Sequence, residues 1–236
     1  MGTNMSEPPA KKARRFGNDT VTIKVGTGDH VETFTIHEAL LKERGGFFAA
    51  AMDKQWKEGQ ERKIGLPEDD PNTVGIYIEW LYTKRLGAYT DKDHKQWNSK
   101  DVEEQYDQLV HLYIFGEKIQ DDEICNRCID KIVELSDLKV TDADDGTVDA
   151  YCLDRSAVKT IFQGTHTASP LRRLCVDTYF LYSKKSWFDT SGEGRHAERH
   201  LLECQGFLLE VLQKFATNRE SPPATDATIK PEQYYK

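Results

Sequence analysis

The chain has 236 residues and a formal net charge of −8, and 38% of its side chains are hydrophobic. That is enough for one packed domain and a smaller second unit. The acidic balance argues against general nucleic-acid binding, which depends on clustered Lys and Arg to neutralise phosphates. No run of about 18 apolar residues is present to span a bilayer.

Residues 1–18 are polar, with Pro8-Pro9 and the basic cluster Lys11, Lys12, Arg14 and Arg15. Nothing there can bury an apolar face, so a disordered tail is expected. Short basic clusters of this kind can be read as nuclear-import addresses by an acidic carrier groove. A signal peptide needs an apolar core where this segment has charge and proline. The five cysteines are odd in number and lie in segments of mostly helical character, which suits a reducing compartment better than a disulfide framework. The expected location is therefore the nucleus, the cytoplasm or both, with no membrane association.

Val21 to Val25 alternates apolar and polar side chains, Gly26-Thr27-Gly28-Asp29 turns the chain, and Glu32 to Ile36 alternates again, which predicts a hairpin with one buried face. Two short helices follow, carrying Leu40 and Leu41, then Phe47, Phe48 and Met52, broken at Gly45-Gly46 because a continuous helix tolerates paired glycines poorly. Arg62 to Leu66 has the pattern of a short strand. Asp70-Pro71 then supplies an N-cap and a first-turn proline for a helix whose Val74, Tyr77, Ile78 and Leu81 share a face that Trp80 widens.

Helical spacing resumes at Asp101, expected as an N-cap with Glu104 completing a capping box, and continues through Tyr106, Leu109, Val110 and Tyr113. Asp121-Asp122 favours the start of another helix with Ile124, Cys128, Ile132 and Leu135 on one face. Residues 136–150 are acidic and show no period, and are expected to form a linker. A helical C-terminal region is expected over 151–215, with Val158, Ile161 and Phe162 in one helix. Leu171, Leu174, Cys175, Thr178, Leu181 and Tyr182 mark a second after Ser169-Pro170, and Leu201, Leu208, Val211, Leu212 and Phe215 a third. Residues 216–236, with Pro222-Pro223, are expected to be disordered. No repeat of propeller or solenoid period is present.

The order of these pieces is itself informative. A strand pair, F-x-x-H-x-x-x-L, paired phenylalanines, Trp56-Lys57-Glu58-Gly59-Gln60, Leu66-Pro67-Glu68-Asp69-Asp70-Pro71 and Ile78-Glu79-Trp80-Leu81-Tyr82-Thr83 together resemble a BTB/POZ domain of the kind found in many short fungal proteins. The resemblance runs from about Asp19 to Leu135, because Leu112 to Gln120 and Ile124 to Ile132 also resemble the closing helix pair of that family. Two features depart from the pattern: Gly45 stands where the family usually has a capping serine, and Gly87 to Lys100 is longer and more polar than the usual connection. The implied fold class is α+β, a small β-sheet flanked by a helical cluster, followed by an α-helical extension.

The resemblance also implies a protein-binding site. In BTB proteins a hydrophobic residue, any residue and a glutamate after the second small helix engage a cullin-3-type scaffold, and Trp56, Lys57 and Glu58 fit that pattern. An indole can fill a partner's apolar pocket while a carboxylate beside it accepts charge-assisted hydrogen bonds. The expected function is thus non-enzymatic: a substrate adaptor for a ubiquitin ligase, with an unidentified substrate protein as second partner. The alternative is a homodimeric BTB scaffold or nuclear transcriptional co-factor.

Other chemistry-bearing residues weigh little against this. His37 has no nucleophile or carboxylate partner evident from the sequence and matches the family's strand-to-helix histidine, so a structural role is expected. Cys125-x-x-Cys128 has thiolate spacing but no second ligand pair for a structural zinc. His196 and His200 lack the glutamate of an HExxH motif, and Gly26-x-Gly28 lacks the rest of a phosphate-binding loop. No catalytic residue, cofactor or metal is expected.

Overall fold

A computed structural model describes residues 16–44, 46–53, 55–86, 97–141, 146, 148–150, 153–183, 204–220 and 228–236. The chain divides into two compact units, Met1–Glu68 and Asp69–Lys236.

In the first unit, β1 (Thr20–Val25) pairs antiparallel with β2 (Glu32–His37) and parallel with β3 (Lys63–Leu66), giving the strand order β2-β1-β3. The alternation of β1 places Val21, Ile23 and Val25 in the core, where Ile36, Ile64 and Leu66 join them. The hairpin connection needs left-handed backbone at Gly26 (φ 83°) and Gly28 (φ 62°), which only glycine adopts at little cost. Helix α1 (Glu38–Lys42) and helix α2 (Gly46–Ala51) are the two expected short helices. Gly46 is left-handed (φ 53°), so the chain breaks there and re-enters helix while Leu40, Leu41, Phe48 and Met52 remain buried. A third short helix, α3 (Lys57–Glu61), was not expected from the polar run that forms it. It ends at Arg62, whose guanidinium donates to Asp19 Oδ1 at 2.9 Å and lies 3.5 Å from Glu38 Oε2. These ion pairs tie the entry of β3 to the start of β1 and to α1. The mixed α+β class is established.

The second unit opens with α4 (Pro71–Thr83), where Asp70 Oδ2 accepts from the Thr73 amide at 2.7 Å and Pro71 fills the first turn. Val74, Tyr77, Trp80 and Leu81 are buried as the spacing predicts. Ile76 is also buried and Ile78 is only half-buried, because the apolar stripe is centred on Tyr77. Helix α5 (Ser99–Ile119) is capped by Asn98, three residues before the expected cap. Asn98 Oδ1 accepts from the amides of Lys100 (3.0 Å) and Asp101 (3.2 Å), and Asp101 Oδ2 accepts from the Asn98 amide at 2.9 Å. The capping box is therefore Asn98 with Asp101, and Asp101 serves as its third helical residue. Asp121 caps α6 (Asp122–Ser136) through Oδ1, and its Oδ2 accepts from the Tyr77 hydroxyl at 2.8 Å. One buried carboxylate thus joins α4 to α6.

Residues 136–150 are not a patternless linker. β4 (Lys139–Thr141) pairs antiparallel with β5 (Val148–Ala150), strands too short for alternation to register in the sequence. Helix α7 (Arg155–Gly164) then packs back on α5, and a side chain at Gly164 would meet the Ile114 side chain at 2.6 Å. Helix α7 lies in the same compact unit as α4 to α6. Arg172 of α8 (Pro170–Tyr182) closes the end of α7, donating to Phe162 O at 2.6 Å and Thr165 Oγ1 at 2.9 Å while lying over the Phe162 ring. In α9 (Gln205–Glu220) the buried side chains are Phe207 and Val211. Leu212 and Phe215, expected on the buried stripe, are exposed, because the buried face is set by contact of Phe207 with Phe162 and Tyr179.

The expected disorder of 216–236 is corrected for residues 216–220 and 228–236, while 221–227 lie outside the described residues. Residues 216–220 complete α9, and residues 228–236 lie on the second unit, with a 3-10 turn over Pro231–Tyr234 and Tyr234 buried. A single aromatic anchor in a polar stretch leaves no periodic signal.

Candidate functional site

Trp56 is the residue immediately before α3, and its backbone is extended (φ −100°, ψ 154°). The turn that carries it is closed from both sides. Asp53 O accepts from the Trp56 amide at 3.0 Å, Asp53 Oδ1 accepts from the Gln55 amide at 3.0 Å, and Trp56 O accepts from the Gln60 amide at 3.1 Å. Gly59 is buried against the same turn: a Cβ there would stand 2.3 Å from Asp53 O. Only glycine lets α3 approach the Asp53 peptide this closely. The backbone around Trp56 is therefore well determined while its indole is 63% exposed, an unusual position for the largest apolar side chain.

Glu58 and Lys57 lie in the first turn of α3 and are exposed. The Lys57 ammonium is 3.8 Å from Glu61 Oε1, a contact that solvent screens strongly. Among the described residues the Glu58 carboxylate makes no hydrogen bond or ion pair, so it remains available as an acceptor. A carboxylate in the first turn also complements the helix dipole, the local signal that favours α3 in an otherwise polar run. Phe47 of the same unit is 38% exposed and packs edge-on against buried Phe48 with ring centroids 5.3 Å apart. The sequence does not mark it, because one member of a Phe-Phe pair on a short helix must face outward and spacing does not say which.

His37 closes β2 and pairs in register with Thr20, and its ring centroid is 5.7 Å from that of Phe16. Lys11, Lys12, Arg14 and Arg15, as well as Gly45, His196 and His200, lie outside the described residues. Cys125 and Cys128 both project from α6 into the core and are fully buried free thiols. Burial pushes the Cys125 thiol up to about 12 and raises that of Cys128 as well, so neither is a nucleophile near neutral pH. Among the described residues no helix is long and apolar enough to cross a membrane.

The arrangement over Asp53 to Glu61 can do one thing well. It presents an indole on a fixed backbone beside a carboxylate, a pairing of the kind used in macromolecular recognition. No family model and no curated protein matches the chain.

Proposed function

We propose that this chain is a non-enzymatic adaptor of the BTB/POZ type that docks a cullin-3-type scaffold through Trp56, Lys57 and Glu58 while another surface holds a substrate protein for ubiquitin transfer. The observation that carries the reading is the 63% exposed Trp56 indole on a turn locked by Asp53 and Gly59. Preorganisation matters because a side chain already held in place loses little freedom on binding, so more of its burial is expressed as affinity. The ordered strand, helix and strand pieces of the first unit, with β3 parallel to β1, are compatible with that family's sheet.

Affinity capture of cullin-3 by the wild-type chain and by the Trp56→Ala/Glu58→Ala variant tests the reading. Loss of an interface tryptophan costs about 2 kcal/mol or more, roughly thirtyfold in Kd, so capture by the variant should fall to background. Equal capture by both removes these residues from the interface. Capture by neither removes the adaptor reading.

A further inference from the structure

The segment 228–236 sits on the second unit in the manner of a bound ligand. Its side chains are exposed or half-buried with one exception: Tyr234, 4% exposed, is sunk into the helices. The Tyr234 hydroxyl donates to Asp177 Oδ2 of α8 at 2.8 Å, and Arg173 lies 5.9 Å over its ring. The Tyr235 hydroxyl donates to Asp130 of α6. The Lys236 amide donates to Asn126 Oδ1 at 2.9 Å, and its ammonium is 3.1 Å from Glu117 Oε1 of α5 and 5.7 Å from the centre of the Tyr113 ring. Three consecutive residues thus place three donors on three carboxylates, each carried by a different helix. Anchor in a pocket, surrounding charge-assisted hydrogen bonds and a flanking proline turn form the usual anatomy of a peptide recognition site.

The receptor carboxylates are also held in place by neighbours that lie outside the segment. Glu117 accepts from the Tyr113 hydroxyl at 3.2 Å and lies 3.5 Å from His166 Nε2; Asp177 pairs with Lys214 at 2.5 Å; Asp130 is 3.4 Å from Arg127. Each acceptor keeps a partner when the segment is absent, so release leaves no bare buried charge.

We propose that the face formed by α5, α6 and α8 is a peptide-binding site, that its occupant is the Tyr-Tyr-Lys segment of this same chain, and that the segment binds as an exchangeable ligand and not as part of the core. Seven residues, 221–227, separate the segment from α9, and a tether this short gives an effective concentration on the order of millimolar. In the intact chain the site is therefore occupied from within, and a free peptide of the same sequence competes poorly.

A fluorescent peptide spanning Thr228 to Lys236, capped at both ends so that no terminal charge contributes, tests this by anisotropy titration. The full chain carrying Tyr234→Ala/Tyr235→Ala has its own segment disabled and should bind the peptide saturably. The wild-type chain should require at least tenfold more peptide, and a peptide with alanine at the position of Tyr234 should bind at least tenfold more weakly. Because the double variant could fail to fold, a protease site placed within 221–227 of the otherwise wild-type chain provides a second measurement. After cleavage the segment should dissociate on dilution while helical circular dichroism is retained, and should rebind on concentration. Equal binding of the peptide to wild type and variant places it elsewhere on the surface and overturns the proposal. So does a cleaved segment that leaves only when the helices melt.

Discussion

Two tryptophans show how differently the two units use the same side chain. Trp80, in α4 of the second unit, is fully buried beside Tyr77, with ring centroids 5.8 Å apart, and the Lys84 ammonium lies 4.1 Å over its ring. Trp56, in the first unit, has a fixed backbone and a solvated ring. Burial of an indole ordinarily contributes several kcal/mol to folding, so an exposed one on a rigid turn forgoes that contribution. The second unit uses this tryptophan for cohesion, and the first leaves its own exposed to solvent.

The largest test of that contrast is a pair of substitutions followed by denaturant unfolding. Trp80→Ala should cost about 3–5 kcal/mol through lost burial and the cavity left behind, whereas Trp56→Ala should change stability by no more than about 0.5 kcal/mol. Similar costs would erase the distinction between the buried and the exposed tryptophan. A smaller effect comes from Gly59→Ala, which forces a methyl group against the Asp53 carbonyl and should destabilise by about 1–3 kcal/mol. It should also weaken cullin capture although the Trp56 and Glu58 side chains are intact. Full capture by this variant would mean that the locked turn is irrelevant to docking.

The smallest effect is a shifted titration in the second unit. The hydrogen bond from Tyr235 to Asp130, together with partial burial and the nearby Glu232, pushes the Tyr235 hydroxyl from its ordinary 10.0 up to about 12, with Arg127 opposing. A group whose folded value is raised contributes fully below its unfolded value and loses that contribution as pH climbs through the folded one, here between 10.0 and about 12. In a tyrosinate absorbance titration, Tyr235→Phe should remove a step centred near 12. Loss of a step near 10.0 instead would show that the segment does not hold this hydroxyl.

The parts of the fold that could be read from the sequence are those where local and global demands coincide. Alternation in β1, the Asp70-Pro71 start of α4 and the Asp121 start of α6 each carry their own signal, and each forms as the pattern predicts. What escaped was decided by few residues or by distant ones. The capping box at Asn98 was displaced to Asp101 because Asp is a good cap in its own right and only the reciprocal bond distinguishes the two positions. β4 and β5 are three residues each, too short for periodicity, and the segment around Tyr234 depends on acceptors 57 to 119 positions away in sequence, as Asp177 and Glu117 are from Tyr234 and Lys236. At the candidate site, an outward-facing Trp56 beside Glu58 was legible and the locking of its turn was not, because the close approach of Gly59 to the Asp53 carbonyl carries no local pattern.

Among the described residues the order β2-β1-β3 leaves a single interior strand, so within the first unit β2 and β3 are borders. Borders of this kind are templates for unwanted fibrillar pairing between molecules. Here they are only six and four residues long and carry Glu32 and Lys63 as exposed charges at their first positions. A neutralising change such as Lys63→Val would lengthen an apolar run that now stops at Ile64, and colloidal solubility would suffer before folding did.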